Sequence, residues 1–179
     1  MIRDLLDTKC LHACGRLRLK LEPCDLHCLL REVVEELADR YGDRFVRVAH
    51  GDAKGMWAPS ELRRALGNLL DNAIKYGAPD APVTAAVDRV SDAVRVSVHN
   101  CGPAISAEDE PHLFDAFWRS RHARPGGDSG WGLGLAFVRG CAEAHGGTVA
   151  VTSDEASGTT FTLDLPIDAR PFQQHSDAH

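Results

Sequence analysis

Three polar side chains at helical spacing, Asn68, Asn72 and Lys75, could do chemistry together. At about 100° per residue they fall within one narrow sector of a helix. Leu62, Leu66, Leu69, Leu70 and Ala73 form the opposite stripe, so the two amides are not misplaced core residues. Asn is a poor helix-interior residue, and a face needing only solubility would scatter Glu and Lys instead. Two readings stay open, an edge turned toward a ligand or a solvated polar face. A second candidate is Gly130-Trp131-Gly132-Leu133-Gly134-Leu135, which opens a later helix. Glycines let backbone approach an anion, and the first N–H groups of the helix point at it, so phosphate is the natural guest. The dinucleotide fingerprint would need glycine where Leu135 stands, and the lysine of a Walker loop is missing.

Those residues must be held by a larger frame. Ile2, Leu5 and Leu6 at helical spacing, then Gly15 and Pro23, mark residues 1–22 as a helix end followed by a link. Asp25 is an expected N-cap for a helix through Leu29, Leu30, Val33, Val34 and Leu37 that runs to Tyr41 and stops at Gly42. A strand at 45–49 follows. Pro59-Ser60 opens the helix carrying Asn68 and Asn72, which ends at Gly77. Alternating stretches at 83–90 and 94–98 flank Ser91-Asp92 and predict a hairpin. A short helical piece is expected at 113–118, a lid rich in glycine at 120–130, a third helix at 133–145 ending at Gly146-Gly147, and strands at 148–152 and 159–165 joined through Ser157-Gly158. The expected fold is α/β, a two-layer sandwich with a mixed sheet of about five strands and about three helices on one face; the chain after Pro166 reads as too polar to pack.

Composition sets bounds on function. The 179 residues are 44% hydrophobic and 26% charged, which fits a folded globular domain rather than a disordered or fibrous chain. Twenty Lys and Arg against 26 Asp and Glu give a net charge of −6, the wrong sign for a domain that binds through phosphate-backbone neutralisation, so nucleic acid is not expected as a partner. No apolar run reaches the roughly 20 residues of a membrane span, and Met1-Ile2-Arg3-Asp4 lacks a signal-peptide layout. A soluble, cytoplasmic chain without membrane contact is the expectation. Cys10, Cys14, Cys24 and Cys28, with His12 and His27 between them, could grip zinc, or could be reduced thiols acting as small hydrophobes; Cys101 and Cys141 read as ordinary buried or half-buried thiols.

Taken in order, these motifs resemble the ATP-binding catalytic domain of sensor histidine kinases, within the superfamily shared with gyrase, the Hsp90 chaperones and MutL. The asparagine box is similar to Asn68-Leu69-Leu70-Asp71-Asn72-Ala73-Ile74-Lys75-Tyr76, the phenylalanine box to Leu113-Phe114-Asp115-Ala116-Phe117-Trp118-Arg119, and the second glycine box to Gly130 through Leu135. His145-Gly146-Gly147 and Gly158-Thr159-Thr160-Phe161 complete the series. The resemblance covers about residues 19–166 and implies a Bergerat-type ATP-binding fold. It implies a division into a dimerisation-type helix end with linker at 1–22, an ATP-binding catalytic domain at 23–168 and a polar tail at 169–179.

By that resemblance ATP and Mg²⁺ are the cofactors. Asn72 would bind Mg²⁺ through its amide oxygen, a hard ligand for a hard cation. Asn68, Lys75 and Arg119 would be the catalytic set beside the phosphates, with Phe114 and Phe117 as anchors for Arg119. Tyr76 would close over the base, and Asn100, Gly102, Ala104, Ile105, Phe117, Gly130, Trp131, Gly132, Leu133, Gly134, Leu135 and Thr159 would complete the nucleotide site. Trp131 has two readings, stacking near the ligand or loop packing. The chain departs from the family's first glycine box, Asp-x-Gly-x-Gly, with Asn100-Cys101-Gly102-Pro103-Ala104. An asparagine can accept from the adenine amino group and donate to a ring nitrogen, whereas Ala104 constrains the backbone if that position needs positive φ.

The hydrolysing relatives carry a glutamate where Asn68 stands. An amide cannot take a proton at neutral pH, so the resemblance implies transfer to a nucleophile other than water. None of the nine histidines precedes Glu or Asp as the family's phosphoacceptor does, so that histidine is expected outside this chain. The implied partners are dimerisation and phosphoacceptor helices of the same or another chain and a response regulator receiver domain, with a homodimer expected only in the full-length protein. A degenerate nucleotide-binding or non-binding scaffold module acting through protein contacts is the alternative.

Overall fold

The computed structural model describes residues 17, 19–118 and 132–173. The first described elements are β1 (Glu22–Asp25) and α1 (Leu26–Tyr41). Asp25 caps α1, its Oδ1 accepting from the backbone N–H of His27 at 2.9 Å and of Cys28 at 3.4 Å. Gly42 ends the helix at a φ of 74°. Then come β2 (Phe45–His50), β3 (Lys54–Trp57) and α2 (Pro59–Tyr76). Pro59 suits the first helical position, where no N–H is needed.

The hairpin of β4 (Val83–Val90) and β5 (Ala93–Asn100) turns through Ser91, whose φ of 52° lets a two-residue loop follow the strand twist. A 3-10 turn at Glu110–His112 stands just before the helical piece expected at 113–118, which is instead a run of turns. Pro111 and the exposed surroundings there favour one tight turn over a helix. The chain continues with α3 (Gly134–Ala144), β6 (Thr148–Asp154), β7 (Gly158–Pro166) and the single turn α4 (Arg170–Gln173).

Five strands form one mixed sheet in the order β2-β4-β5-β7-β6, with β2 and β4 parallel and the remaining pairs antiparallel. The apolar stripes of α1, α2 and α3 pack on one face of it. The core joins Leu30, Val33 and Leu37 of α1, Leu62, Leu66, Leu69 and Leu70 of α2 and Phe137 and Val138 of α3 to the inward rows of β4, β5 and β7. Period-2 alternation places Val94, Val96 and Val98 of β5, and Phe161, Leu163 and Leu165 of β7, on that inner face. The expected two-layer sandwich is what the chain forms.

Two features depart from expectation. β1 and β3 pair antiparallel as a separate ribbon that sequence reading left as link and loop, since four-residue strands carry too few residues to show a period. The segment after Pro166, read as too polar to pack, packs. Ile167 and Ala169 exchange backbone hydrogen bonds with Met56, Ala169 is fully buried, and the Phe172 ring covers Gly146. Residues 174–179 lie outside the described residues. Among the described residues no helix is long and apolar enough to cross a membrane.

Candidate nucleotide site

The inward row of β5 ends on a polar residue. After Val94, Val96 and Val98 comes Asn100, and its register partner on β7 is Thr159; each is only 4% exposed. These two polar side chains therefore sit where an apolar sheet face runs out against the end of α2. Asn100 lies against the loop leaving that helix. A Cβ added at Gly102 would stand 2.5 Å from the Tyr76 carbonyl oxygen and 3.0 Å from the Asn100 amide nitrogen, so only glycine permits this crossing. The side chain of Asn100 has no hydrogen-bond partner among the described residues. Thr159 Oγ1 meets Ser153 Oγ at 2.7 Å, and Ser153 Oγ accepts from the Ile105 N–H at 2.9 Å, which ties the 101–105 loop to the β6–β7 hairpin. Ala104 does not adopt a positive φ, so its side chain costs the backbone nothing there.

Asn68, Asn72 and Lys75 occupy one side of α2, away from its buried leucines. Asn68 and Asn72 are half-buried, and Lys75 is exposed. Asn68 stands beside the start of α3, where a Cβ on Gly134 would come 3.3 Å from its Oδ1. It also lines the groove between α1 and α2. The first backbone bond of α3 runs from Phe137 N–H to Leu133 O at 2.9 Å, so the N–H groups of Gly134, Leu135 and Ala136 have no acceptor within the helix. Such a helix start attracts anions. Just ahead of it Gly132 has a φ of 69°, and its carbonyl accepts from the Phe117 N–H at 3.0 Å. Leu133 is buried, and Leu135 packs against the core.

At the far end of α2, Lys75 Nζ lies 5.1 Å from the centre of the Tyr76 ring, which is 49% exposed. Phe114 packs edge-on against Phe161 with ring centres 6.2 Å apart, as an anchor should. Phe117 does not act as one. It is 58% exposed with a φ of 66°, a left-handed conformation uncommon outside glycine. The hydrogen bond to Gly132 accompanies that backbone turn, and the ring stays largely exposed. Arg119, Gly130, Trp131 and the expected lid at 120–130 lie outside the described residues.

The supporting roles of three residues escaped sequence reading, although His145 stood in one of the motifs. Besides Ser153, Arg44 reaches from the start of β2 to donate to the carbonyls of Ala78 at 2.6 Å and Ala81 at 3.0 Å, and Ala78 N–H bonds the Cys101 carbonyl at 2.5 Å. His145, fully buried, accepts from the Ala58 N–H at Nε2, 3.0 Å, while Nδ1 donates to the Cys141 carbonyl at 2.7 Å. These partners fix its neutral tautomer, and burial holds its pKa below the usual value. Ala58 is the N-cap of α2 and offers no side chain of its own, so the histidine secures the entry of the site helix. No local signal identifies a cap 87 residues away.

The thiols follow their surroundings. Burial, with Asp25 nearby, pushes Cys24 up to about 11, and burial also raises Cys141. Cys10 and Cys14 lie outside the described residues, and among the described ones no three His, Cys, Asp or Glu gather to hold a metal. Cys141 is buried as expected, whereas Cys101 stands just past the end of β5 and is exposed, its Sγ 3.8 Å from His99 Nε2.

The arrangement offers an anion-attracting helix start, hard amide oxygens on α2, a lysine, and a buried amide without a partner at the opposite end. Residues 58–169 match the family of histidine kinase-, DNA gyrase B-, and HSP90-like ATPases. The chain belongs to this family. The stretch shared with these ATPases starts at the α2 cap and ends at buried Ala169, so it takes in the C-terminal segment that sequence reading left unpacked. Sensor histidine kinase CusS of Escherichia coli O157:H7 is 45% identical over 108 residues, 60% of this chain and 22% of that protein. Adaptive-response sensory kinase SasA of Synechococcus elongatus is 31% identical over 172 residues, 93% of this chain and 44% of that one. The chain thus spans less than half the length of these curated relatives. Full-length ShkA in complex with AMPPNP superposes with a TM-score of 0.78 at 28% identity, covering 92% of this chain and 35% of that chain.

Proposed function

We propose that this chain is the nucleotide-binding catalytic module of a two-component sensor histidine kinase, presenting ATP and Mg²⁺ for phosphoryl transfer to a histidine outside it. The observation that carries this reading is the run of polar groups along α2, from Asn68 beside the start of α3 to the end of the helix against Asn100. Nine residues separate Asn68 from Gly77, about 14 Å of helix, a span suited to an extended nucleoside triphosphate. Phosphates at the α3 start and a base at Asn100 would satisfy both ends.

In this reading Asn72 holds Mg²⁺ through its amide oxygen. Bound Mg²⁺ would supply charge neutralisation at the phosphate oxygens, and ATP the phosphoryl group. Asn68 and Lys75 position the phosphates, and Arg119 joins them at the terminal one. The backbone from Gly130 through Leu135 cradles the phosphates, with Trp131 beside them. Tyr76 and Phe117 flank the nucleotide, while Asn100, Gly102, Ala104, Ile105 and Thr159 form the base end. Asn68 cannot take a proton from water, so the residues favour delivery to another nucleophile. Phosphoacceptor helices and a response regulator receiver domain are the partners this implies, the homodimer belongs to the full-length protein, and the module works in the cytoplasm.

Calorimetric titration with ATP, with and without Mg²⁺, tests the proposal. Binding should strengthen when Mg²⁺ is present, and Asn72→Ala should lose that gain while its circular dichroism stays unchanged. Retention of the full Mg²⁺ effect in Asn72→Ala would move the metal elsewhere. Absence of any ATP binding by the parent chain would favour a scaffold module.

A further inference from the structure

We infer that Asn100 makes the base end of the site accept 6-oxo as well as 6-amino purine nucleotides; this rests on the nucleotide reading above. Asn100 is 96% buried by complement of its 4% exposure, yet no described residue hydrogen-bonds its side chain. Its register partner Thr159 has its hydroxyl engaged by Ser153 Oγ at 2.7 Å and does not hold the amide. Gly77 and Gly102 flank the amide nitrogen, and a Cβ at either would stand 3.5 or 3.0 Å from it. An amide this buried, held by no internal partner, is open to a ligand that pairs both its oxygen and its nitrogen.

The two orientations of that amide have the same shape and opposite polarity. In one, Oδ1 accepts from the 6-amino group of adenine and Nδ2 donates to ring nitrogen N1. In the other, Nδ2 donates to the 6-oxo group of guanine and Oδ1 accepts from N1–H. An internal hydrogen bond would select one orientation, and none is present among the described residues. A carboxylate at the same place could only accept, and would repel a 6-oxo oxygen.

The test is calorimetric titration of the 179-residue chain with ATP, GTP and purine riboside triphosphate, each with Mg²⁺, repeated on Asn100→Asp. For the parent, ATP and GTP should bind within about tenfold of each other, and purine riboside triphosphate, lacking the 6-substituent, more weakly than both. Asn100→Asp should keep ATP and raise the ATP-over-GTP ratio roughly tenfold or more. A parent preference for ATP above about tenfold, purine riboside triphosphate binding as well as ATP, or an unchanged ratio in Asn100→Asp overturns this inference while leaving the nucleotide reading intact. If Asn100→Asp fails to fold, the three parent affinities decide it. No binding of any of the three overturns both readings.

Discussion

At the scale of single residues, His145 links α3 to the N-terminus of α2 without carrying a charge. Its Nε2 must stay unprotonated to accept from Ala58, and burial enforces that state by lowering its pKa. The unfolded chain takes up a proton at this histidine near pH 6.5, whereas the folded chain resists until lower pH. Its contribution to stability is therefore complete above about pH 6.5 and is lost as pH falls through the folded pKa. Urea denaturation from pH 8 to pH 5 should show the parent losing stability in the acid range, with a shallower loss in His145→Gln. At pH 8, His145→Ala should cost about 2–3 kcal/mol, through an unpaired Ala58 N–H and a cavity. An identical acid slope in parent and His145→Gln would assign the pH dependence to other groups.

Among the elements, α2 does the positioning. Its leucines bury it between α1, α3 and the sheet, and that leaves its polar sector facing outward along one edge. The C-terminal end is fixed by the loop after β5, which crosses at Gly102 with the Tyr76 carbonyl close beneath. Arg44 and the Ala78–Cys101 backbone bond hold the same corner. Gly102→Ala places a methyl 2.5 Å from that carbonyl and 3.0 Å from the Asn100 amide, so the loop must lift away. The expected cost is roughly 1–3 kcal/mol of stability, measured by chemical denaturation, with ATP affinity falling in parallel. Unaltered stability and affinity would mean that the corner yields freely and does not hold Asn100.

For the whole molecule, the C-terminal segment closes the sandwich at the end where the β1–β3 ribbon lies. Trp57 is fully buried and its indole N–H donates to the Pro166 carbonyl at 2.7 Å. Met56 exchanges backbone bonds with Ile167 and Ala169, and Gln173 Nε2 donates to the Ala144 carbonyl at 2.5 Å. Ending the chain at Pro166 removes three backbone bonds, two to Met56 and one to Asp92, together with the burial of Ala169, and should cost about 3 kcal/mol, read as a lower urea midpoint. The five-stranded sheet should persist, with far-ultraviolet circular dichroism nearly unchanged. A midpoint equal to that of the full chain would return the segment to the status of a tail.

The sequence by itself determined those features that repeat locally. Leucines three and four apart set α1 and α2, alternating valines set the β4–β5 hairpin, and the spacing of Asn68, Asn72 and Lys75 placed them on one face, because helix and strand periods follow from backbone geometry. The glycine-rich start of α3 was legible for the same reason. Asn100 belonged to an inward row that alternation predicts, but its surroundings include the end of α2 at Gly77, which arrives from elsewhere in the chain. Only the tertiary structure joined His145 to Ala58, Arg44 to the 78–81 loop and Met56 to the residues after Pro166. It also left Phe117 exposed, at a left-handed turn where its N–H bonds the Gly132 carbonyl. Such contacts leave no periodic trace, since what selects each residue is a donor, an acceptor or a space supplied by a distant segment.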